Sequence, residues 1–229
     1  MNSTELPSVA VTVDVVLFTV SDGQLQVLLT RRTKGPFRGK RALPGGYVHA
    51  QSDADSSQAA SRVLAEKVGL QAPYLEQLYT FADGSRDPRG WSVSIVYFAL
   101  VPLHVYEQAQ GGSEPIELAP VSDPGILAFD HARIVQTAAE RLRNRTLYPA
   151  LPLYLLGDEF TLKEVQDVYE TILDAKFEMA NFRRWALSLR VLTPLIDTKR
   201  TGTGGRGAQL YGVYPGANLV QLDKGARLG

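Results

Sequence analysis

The apolar positions of residues 9–33 fall in two β-branched runs, VAVTVDVVLFTV and LQVLLTRRT, separated by Ser21-Asp22-Gly23. Two such runs about a short polar turn predict a β-hairpin. Gly35-Pro36 breaks the pattern, and RALPGGYV (41–48) reads as a short strand with a Gly-Gly turn. From Asp55 to Lys67 the spacing becomes helical, with Ala59, Val63 and Leu64 on one face and Gly69 as the stop. YLEQLYTFA (74–82) and WSVSIVYFALVPL (91–103) predict two more strands, joined by DGSRDPRG. Residues 107–117 are turn-rich, and AFDHARIVQTAAERLRNR (128–145) is helical, with Ile134, Ala138 and Leu142 on one stripe. Strands followed by helices, with several antiparallel hairpins, predict an α+β sandwich.

The pattern changes near residue 150. YPALPLYLLGDEF (148–160) holds two prolines and reads as a connector, so domains are expected at 1–149 and 150–229. Thr161 and Glu164 have capping-box spacing, each able to satisfy an end amide. Val165, Val168, Tyr169 and Ile172 then line one helical face. A second helix is expected over about 179–192, followed by IDTKRTGTGGRGAQLYGVYP: a strand, a Gly-rich tip and a strand.

Composition narrows the chemistry. Lys plus Arg equals Asp plus Glu at 24 each, so any nucleic-acid surface must be a local patch. The absence of Cys excludes disulfides and thiolate metal sites, and three scattered histidines (His49, His104, His131) argue against zinc. No apolar run has transmembrane length and the N-terminus lacks signal-peptide character, so no membrane partner and a cytoplasmic location are expected.

The stretch RALPGGYVHAQSDADSSQAASRVLAEKVGL (41–70) resembles the Nudix box, G-x5-E-x7-R-E-U-x-E-E-x-G-U. Arg62, Leu64, Glu66, Gly69 and Leu70 match. Val63 and Lys67 stand where two of the helical glutamates belong, and the box carries a two-residue insertion between Gly46 and Arg62. In neither register, Ser52 or Ala54, is the early Glu present. Positions 63, 66 and 67 share a helix face. Three carboxylates there would hold Mg²⁺ against a pyrophosphate; an apolar group, one acid and one ammonium would not. Glu66 is expected to pair with Arg62.

SRDPRGWSVSIVYFAL (85–100) resembles the segment that follows the box in Nudix proteins acting on ADP-ribose and in regulators derived from them. Arg86 and Arg89 suit pyrophosphate or ribose oxygens. Asp87 suits a ribose hydroxyl, or the orientation of Arg89, and Trp91 would support an adenine. Arg62 and Lys67 complete the expected ligand set. His131 is placed either in the pocket or at a surface helix start.

Residues 160–214 resemble a winged helix-turn-helix, with FTLKEVQDVYETIL as support helix and ANFRRWALSLRVLTPL supplying the recognition helix. Between Asn181 and Arg206 stand six basic residues and one acid, Asp197. Asn181, Arg183 and Arg184 lie where base edges are reached. Lys199, Arg200 and Arg206 suit the phosphate backbone. Arg190 is expected to pack or pair, and Trp185, Leu187, Leu189 and Leu192 to belong to the core.

A degenerate Nudix domain followed by a winged helix resembles the Nudix-related transcriptional regulators, NrtR. That resemblance implies an α/β/α sandwich joined to a winged helix, a homodimer on palindromic operator DNA, and repression of NAD-synthesis or salvage genes relieved by ADP-ribose. It implies no cofactor, metal or catalytic residue. Three other readings stay open: an active ADP-ribose pyrophosphatase, a regulator of a sugar-catabolic operon, and a front domain that is only a dimerisation scaffold.

Overall fold

The computed structural model describes residues 9–109, 112–146, 150–200, 207–215, 217 and 219, with the side chains of 197–200 outside that description. β1 (Ala10–Ser21) and β2 (Gln24–Arg31) form the expected hairpin. Asp22 and Gly23 at its tip have φ of 53° and 68°, the left-handed pair that lets a two-residue turn follow the twist of its strands.

The hairpin does not stay closed. Its pairing runs from Ser21–Gln24 to Leu17–Leu28, and there the strands diverge. The segment 41–47 fills the gap. β3 (Arg41–Ala42) pairs with β2, and β4 (Gly45–Tyr47) pairs with β1 over Thr12–Asp14. β6 (Ser92–Leu100) runs parallel along the other side of β1, and β5 (Tyr74–Asp83) is antiparallel to β6. β7 (Ile116–Pro120) covers the outer edge of β2 and completes a seven-stranded sheet. The turn-rich reading of 107–117 missed the start of β7, and α2 (Leu103–Glu107) is also short.

Alternation along β1 divides the core. Val13, Val15 and Leu17 meet α1 (Ser56–Lys67) through Ala59, Ala60, Val63 and Leu64. Val16 and Phe18 face α3 (His131–Thr146) through Ile134, Val135, Ala138 and Leu142. A strand covered on both faces reads as a near-continuous apolar run. The front of the chain is an α/β/α sandwich. Asp55 caps α1 by accepting from the Gln58 N–H at 2.8 Å, and Gly69 ends it with φ of 79°.

The expected connector is a buried element. Leu151–Leu155 form a 3-10 turn, and Leu151 and Leu155 enter the sheet core. β8 (Phe160–Thr161), α4 (Leu162–Leu173), α5 (Met179–Ser188), β9 (Leu192–Arg200) and β10 (Ala208–Val213) follow, with the sheet order β8-β10-β9. The capping box is formed: the Glu164 N–H donates to Thr161 Oγ1 at 3.2 Å, and the Thr161 N–H donates to Glu164 at 2.7 Å. α5 stops before residue 192 because Arg190 takes φ of 57° and the chain turns into β9.

α4 belongs to two cores. Val165 and Tyr169 pack with Phe182, Ala186 and Leu189, whereas Val168 and Ile172 pack into the core of the large sheet. Thr171 Oγ1 donates to the Gly23 carbonyl at 3.4 Å, joining α4 to the tip of the first hairpin. Among the described residues, no helix is long and apolar enough to cross a membrane.

Candidate functional site

A cavity of about 550 Å³ opens where β1 and β2 separate. Thr12 and Asp14 of β1 reach it, as do Gly45, Gly46 and Tyr47 of β4 and Arg62, Val63, Glu66 and Lys67 of α1. The loop after β5 brings Arg86, Asp87 and Arg89 to the same space, and Phe129 and His131 close one side.

Its floor is a buried polar network. Asp14 accepts from Ser94 Oγ at 2.5 Å and lies 3.6 Å from Arg86 Nη2 and 3.7 Å from His131 Nε2. Arg86 reaches Asp130 with two nitrogens, at 3.2 and 3.4 Å, and donates to Ser92 Oγ at 3.2 Å. Its side chain is only 5% exposed. A Cβ at Gly45 would lie 1.9 Å from Asp14 Oδ1, so the Gly-Gly turn makes room for this carboxylate. His131 Nδ1 accepts from the Leu43 N–H at 2.8 Å. The neutral ring therefore carries its proton on Nε2, towards Asp14. Burial holds the His131 pKa below the usual value, with Asp14 opposing the shift. His131 is a buried wall of the pocket, not a surface helix start.

The rim is built from ion pairs. Asp87 takes the Arg89 guanidinium in a fork, at 3.0 and 2.6 Å, and that bond holds the Asp87 pKa low. Arg89 also donates to Tyr47 Oη at 3.0 Å. Arg62 makes a second fork with Asp53, both bonds 2.8 Å, and donates to the Tyr47 carbonyl at 2.9 Å and to Glu66 at 3.2 Å. The inserted loop thus supplies an acid at position 53, between the two registers in which one was sought. Lys67 pairs with Glu114 at 3.0 Å. Val63 is 1% exposed and belongs to the core. Among the described residues, no three His, Cys, Asp or Glu side chains converge as metal ligands.

Of the expected ligand set, Arg62, Lys67, Arg86, Asp87 and Arg89 line one cavity. Trp91 does not. It is 53% exposed, with its ring beside Gly84, outside the cavity wall. It follows the loop instead of folding under it, because Gly90, with φ of 142°, redirects the chain. Sequence reasoning missed Asp14, Arg32, Asp53, Phe129 and Asp130. Asp53 was hidden by the insertion, nine residues from its partner Arg62; the other four lie in stretches whose local pattern has another explanation, and each gains its role from a partner distant in the chain.

In the rear of the chain, Glu178 caps α5 by accepting from the Ala180 and Asn181 N–H groups at 2.9 and 2.8 Å. Phe182 and Ala186 face inward, leaving Asn181, Arg183 and Arg184 exposed on the outer face. Leu189 is buried, and Trp185 and Leu192 are half-buried against the core. Leu187 is exposed, contrary to the expectation of a core position, because it falls on the outer side of α5 with Arg183 and Arg184. Arg190 is exposed at the helix end. Glu170 fixes the turn before α5, accepting from Gln166 Nε2 at 2.8 Å, the Phe177 N–H at 3.0 Å and Lys176 at 2.7 Å. The Lys176 bond, with the other two, pushes the Glu170 pKa down to about 2. Lys199 and Arg200 sit on β9 opposite Gln209 and Ala208, with side chains outside the description, and Arg206 lies outside the described residues.

A sandwich with its cavity at a split hairpin, followed by a two-helix unit with a three-stranded sheet, defines a Nudix domain joined to a winged helix. Comparison with known proteins agrees. Residues 10–149 match the NUDIX domain model, and residues 152–213 match the NrtR DNA-binding winged helix domain. The ADPR responsive transcriptional repressor NtrR of Acinetobacter baylyi is 42% identical over 209 residues, covering 90% of this chain and 83% of that protein. Shewanella oneidensis NrtR, solved in complex with a 27mer DNA, superposes with a TM-score of 0.87 at 37% identity, covering 96% of this chain and 99% of that one. The NUDIX domain of the same protein, solved with ADP ribose, is 41% identical and covers 62% of this chain and 94% of its own, with a TM-score of 0.55. The chain belongs to the NrtR family.

Proposed function

We propose that this chain is a DNA-binding transcriptional repressor whose Nudix cavity, without hydrolytic function, binds ADP-ribose or a related NAD metabolite and thereby releases operator DNA. The observation that carries the reading is an intact, charged cavity whose helix offers Val63, Glu66 and Lys67 where a hydrolase needs acids, with Lys67 already paired to Glu114. The relatives from A. baylyi and S. oneidensis support both halves, ligand response and DNA contact. The effector unit is 1–149 and the DNA-binding unit 150–229. A homodimer presents two copies of α5 to a palindrome whose half-sites are one helical turn or a multiple apart. Asn181, Arg183 and Arg184 read bases, and Lys199, Arg200 and Arg206 hold phosphates. The regulated genes serve NAD synthesis or salvage, and the protein works in the cytoplasm without a cofactor.

Linkage supplies the test. An effector that weakens DNA binding tenfold needs about 1.4 kcal/mol of differential affinity. Operator DNA must then weaken effector binding by the same factor. Both affinities are measured in one buffer, since salt alone moves the DNA term. Equal binding of ADP-ribose to the free protein and to its operator complex would remove it as the release signal.

A further inference from the structure

Four cations on the cavity wall are committed within the chain: Arg62 to Asp53, Lys67 to Glu114, Arg86 to Asp130 and Arg89 to Asp87. Arg32 is different. Its backbone N–H donates to the Lys40 carbonyl at 3.0 Å and its own carbonyl accepts from the Gly39 N–H at 2.8 Å, closing the loop between them. Its Nε donates to the Pro36 carbonyl at 2.8 Å. The guanidinium carbon lies 4.7 Å from the centre of the Phe129 ring. That ring meets Phe37 edge to face at 4.8 Å.

Phe129 and Phe37 both have left-handed backbones, with φ of 54° and 63°. Bulky residues rarely adopt that conformation, so the surrounding fold must hold the platform in place. A guanidinium has five N–H donors, and among the described residues only the one on Nε is used. Among the described residues, the two terminal nitrogens of Arg32 make no hydrogen bond. Asp14, Asp87 and Glu114 are near enough to influence Arg32, but each is bonded to another cation. Arg89, of like charge, also acts on it. Lys34 lines the cavity too, but from the exposed loop.

We infer that Arg32 is the anion-binding residue of this cavity: its terminal nitrogens take the phosphate or pyrophosphate oxygens of the effector while Phe129 holds the guanidinium flat. Arg86 and Arg89, with their donors largely spent, act as positioning residues. The two terminal nitrogens match two oxygens of one phosphate, which a lysine cannot do. The inference rests on the reading of the cavity as an effector site, and it names the group that reads the effector's charge.

The test is calorimetry on the full chain with two probes, ADP-ribose and inorganic pyrophosphate, for wild type, Arg32→Ala, Arg32→Lys and Arg89→Ala. Arg32→Ala is expected to lose about tenfold or more in affinity for both probes, and more than Arg89→Ala does. Arg32→Lys, keeping charge without the fork, should fall between wild type and Arg32→Ala. Because the Arg32 side chain also bonds Pro36 and covers Phe129, melting temperatures of the unliganded variants separate the roles: Arg32→Lys should melt near wild type yet bind both probes more weakly, whereas a purely structural role would lower the melting temperature and leave the affinity of the folded protein unchanged. If Arg32→Ala fails to fold, Arg32→Lys carries the same comparison. Wild type that binds ADP-ribose together with an Arg32→Ala that binds it equally overturns the anion site and leaves the effector assignment standing. Wild type that binds pyrophosphate through Arg32 but ignores ADP-ribose supports the anion site and overturns the effector. Binding of neither probe overturns both.

Discussion

The Lys67 ammonium lies 3.0 Å from the Glu114 carboxylate, at the point on α1 where the Nudix box places an acid. An ammonium there, with apolar Val63 one turn before it, removes carboxylate oxygens that would hold Mg²⁺, and the chain should be inert as a pyrophosphatase. Incubation with ADP-ribose and Mg²⁺ or Mn²⁺ should yield AMP far below the usual enzyme range of roughly 1 per second or more. The double change Val63→Glu with Lys67→Glu should gain a metal-dependent rise in melting temperature. Since Val63 is a core residue, that variant should be less stable than wild type without metal. No response to metal at all would mean the box has been read in the wrong register.

Arg86 and Arg89 stand three residues apart but should behave differently. Arg86 is buried between Asp14 and Asp130. Arg86→Ala leaves the buried Asp14 carboxylate without its guanidinium, while Asp130 keeps Arg133 at 3.1 Å; breaking such a buried pair typically costs about 3–5 kcal/mol. Arg89 is half exposed, and Arg89→Ala should cost about 1 kcal/mol or less in stability. Urea unfolding of both variants checks the difference, and equal midpoints would show that the buried network contributes nothing.

His131 makes stability depend on pH. Its folded pKa is depressed by burial, so the folded chain resists a proton that the unfolded chain accepts near pH 6.5. The stabilisation is complete above that value and is lost as pH falls through it towards the folded pKa. His131→Asn, whose side-chain oxygen can accept from the Leu43 N–H, should flatten the dependence below about pH 6.5. Melting curves across that range test it. A parallel profile in the variant would assign the effect elsewhere.

On DNA, Arg183→Ala or Arg184→Ala should weaken operator binding by roughly 1–3 kcal/mol if the side chain reads a guanine, and should relax preference at one base per half-site. Arg206→Ala should weaken all sequences alike and lower the salt slope by about one. A uniform loss for Arg183 and Arg184 as well would place α5 on the phosphate backbone.

The elements that sequence reading recovered are those specified locally. The Asp22-Gly23 hairpin, the Asp55-started helix and the Thr161–Glu164 capping box each need only a few neighbouring residues. The site was half legible. The arginines of 85–90 stand out because the two share one short loop with an acid, whereas Asp14 is one acid in an apolar strand and its partners Ser94, Arg86 and His131 lie far along the chain. Asp53 was hidden by the insertion. Arg32 read as the end of a strand, since nothing local announces Phe129 beneath it. Trp91 misled for the converse reason: an aromatic beside arginines has the composition of a base platform but not the position.

The double allegiance of α4 governs how the molecule comes apart. Val168 and Ile172 are covered by the large sheet while Val165 and Tyr169 are covered by the rear helices. Cutting the chain at residue 150 would turn Leu151, Leu155, Val168 and Ile172 out to water, at about 1.5–3 kcal/mol for each side chain fully exposed. Each piece would be less stable than the whole, and heating should melt the intact chain in one cooperative transition, with the cavity and the DNA-facing helix lost together.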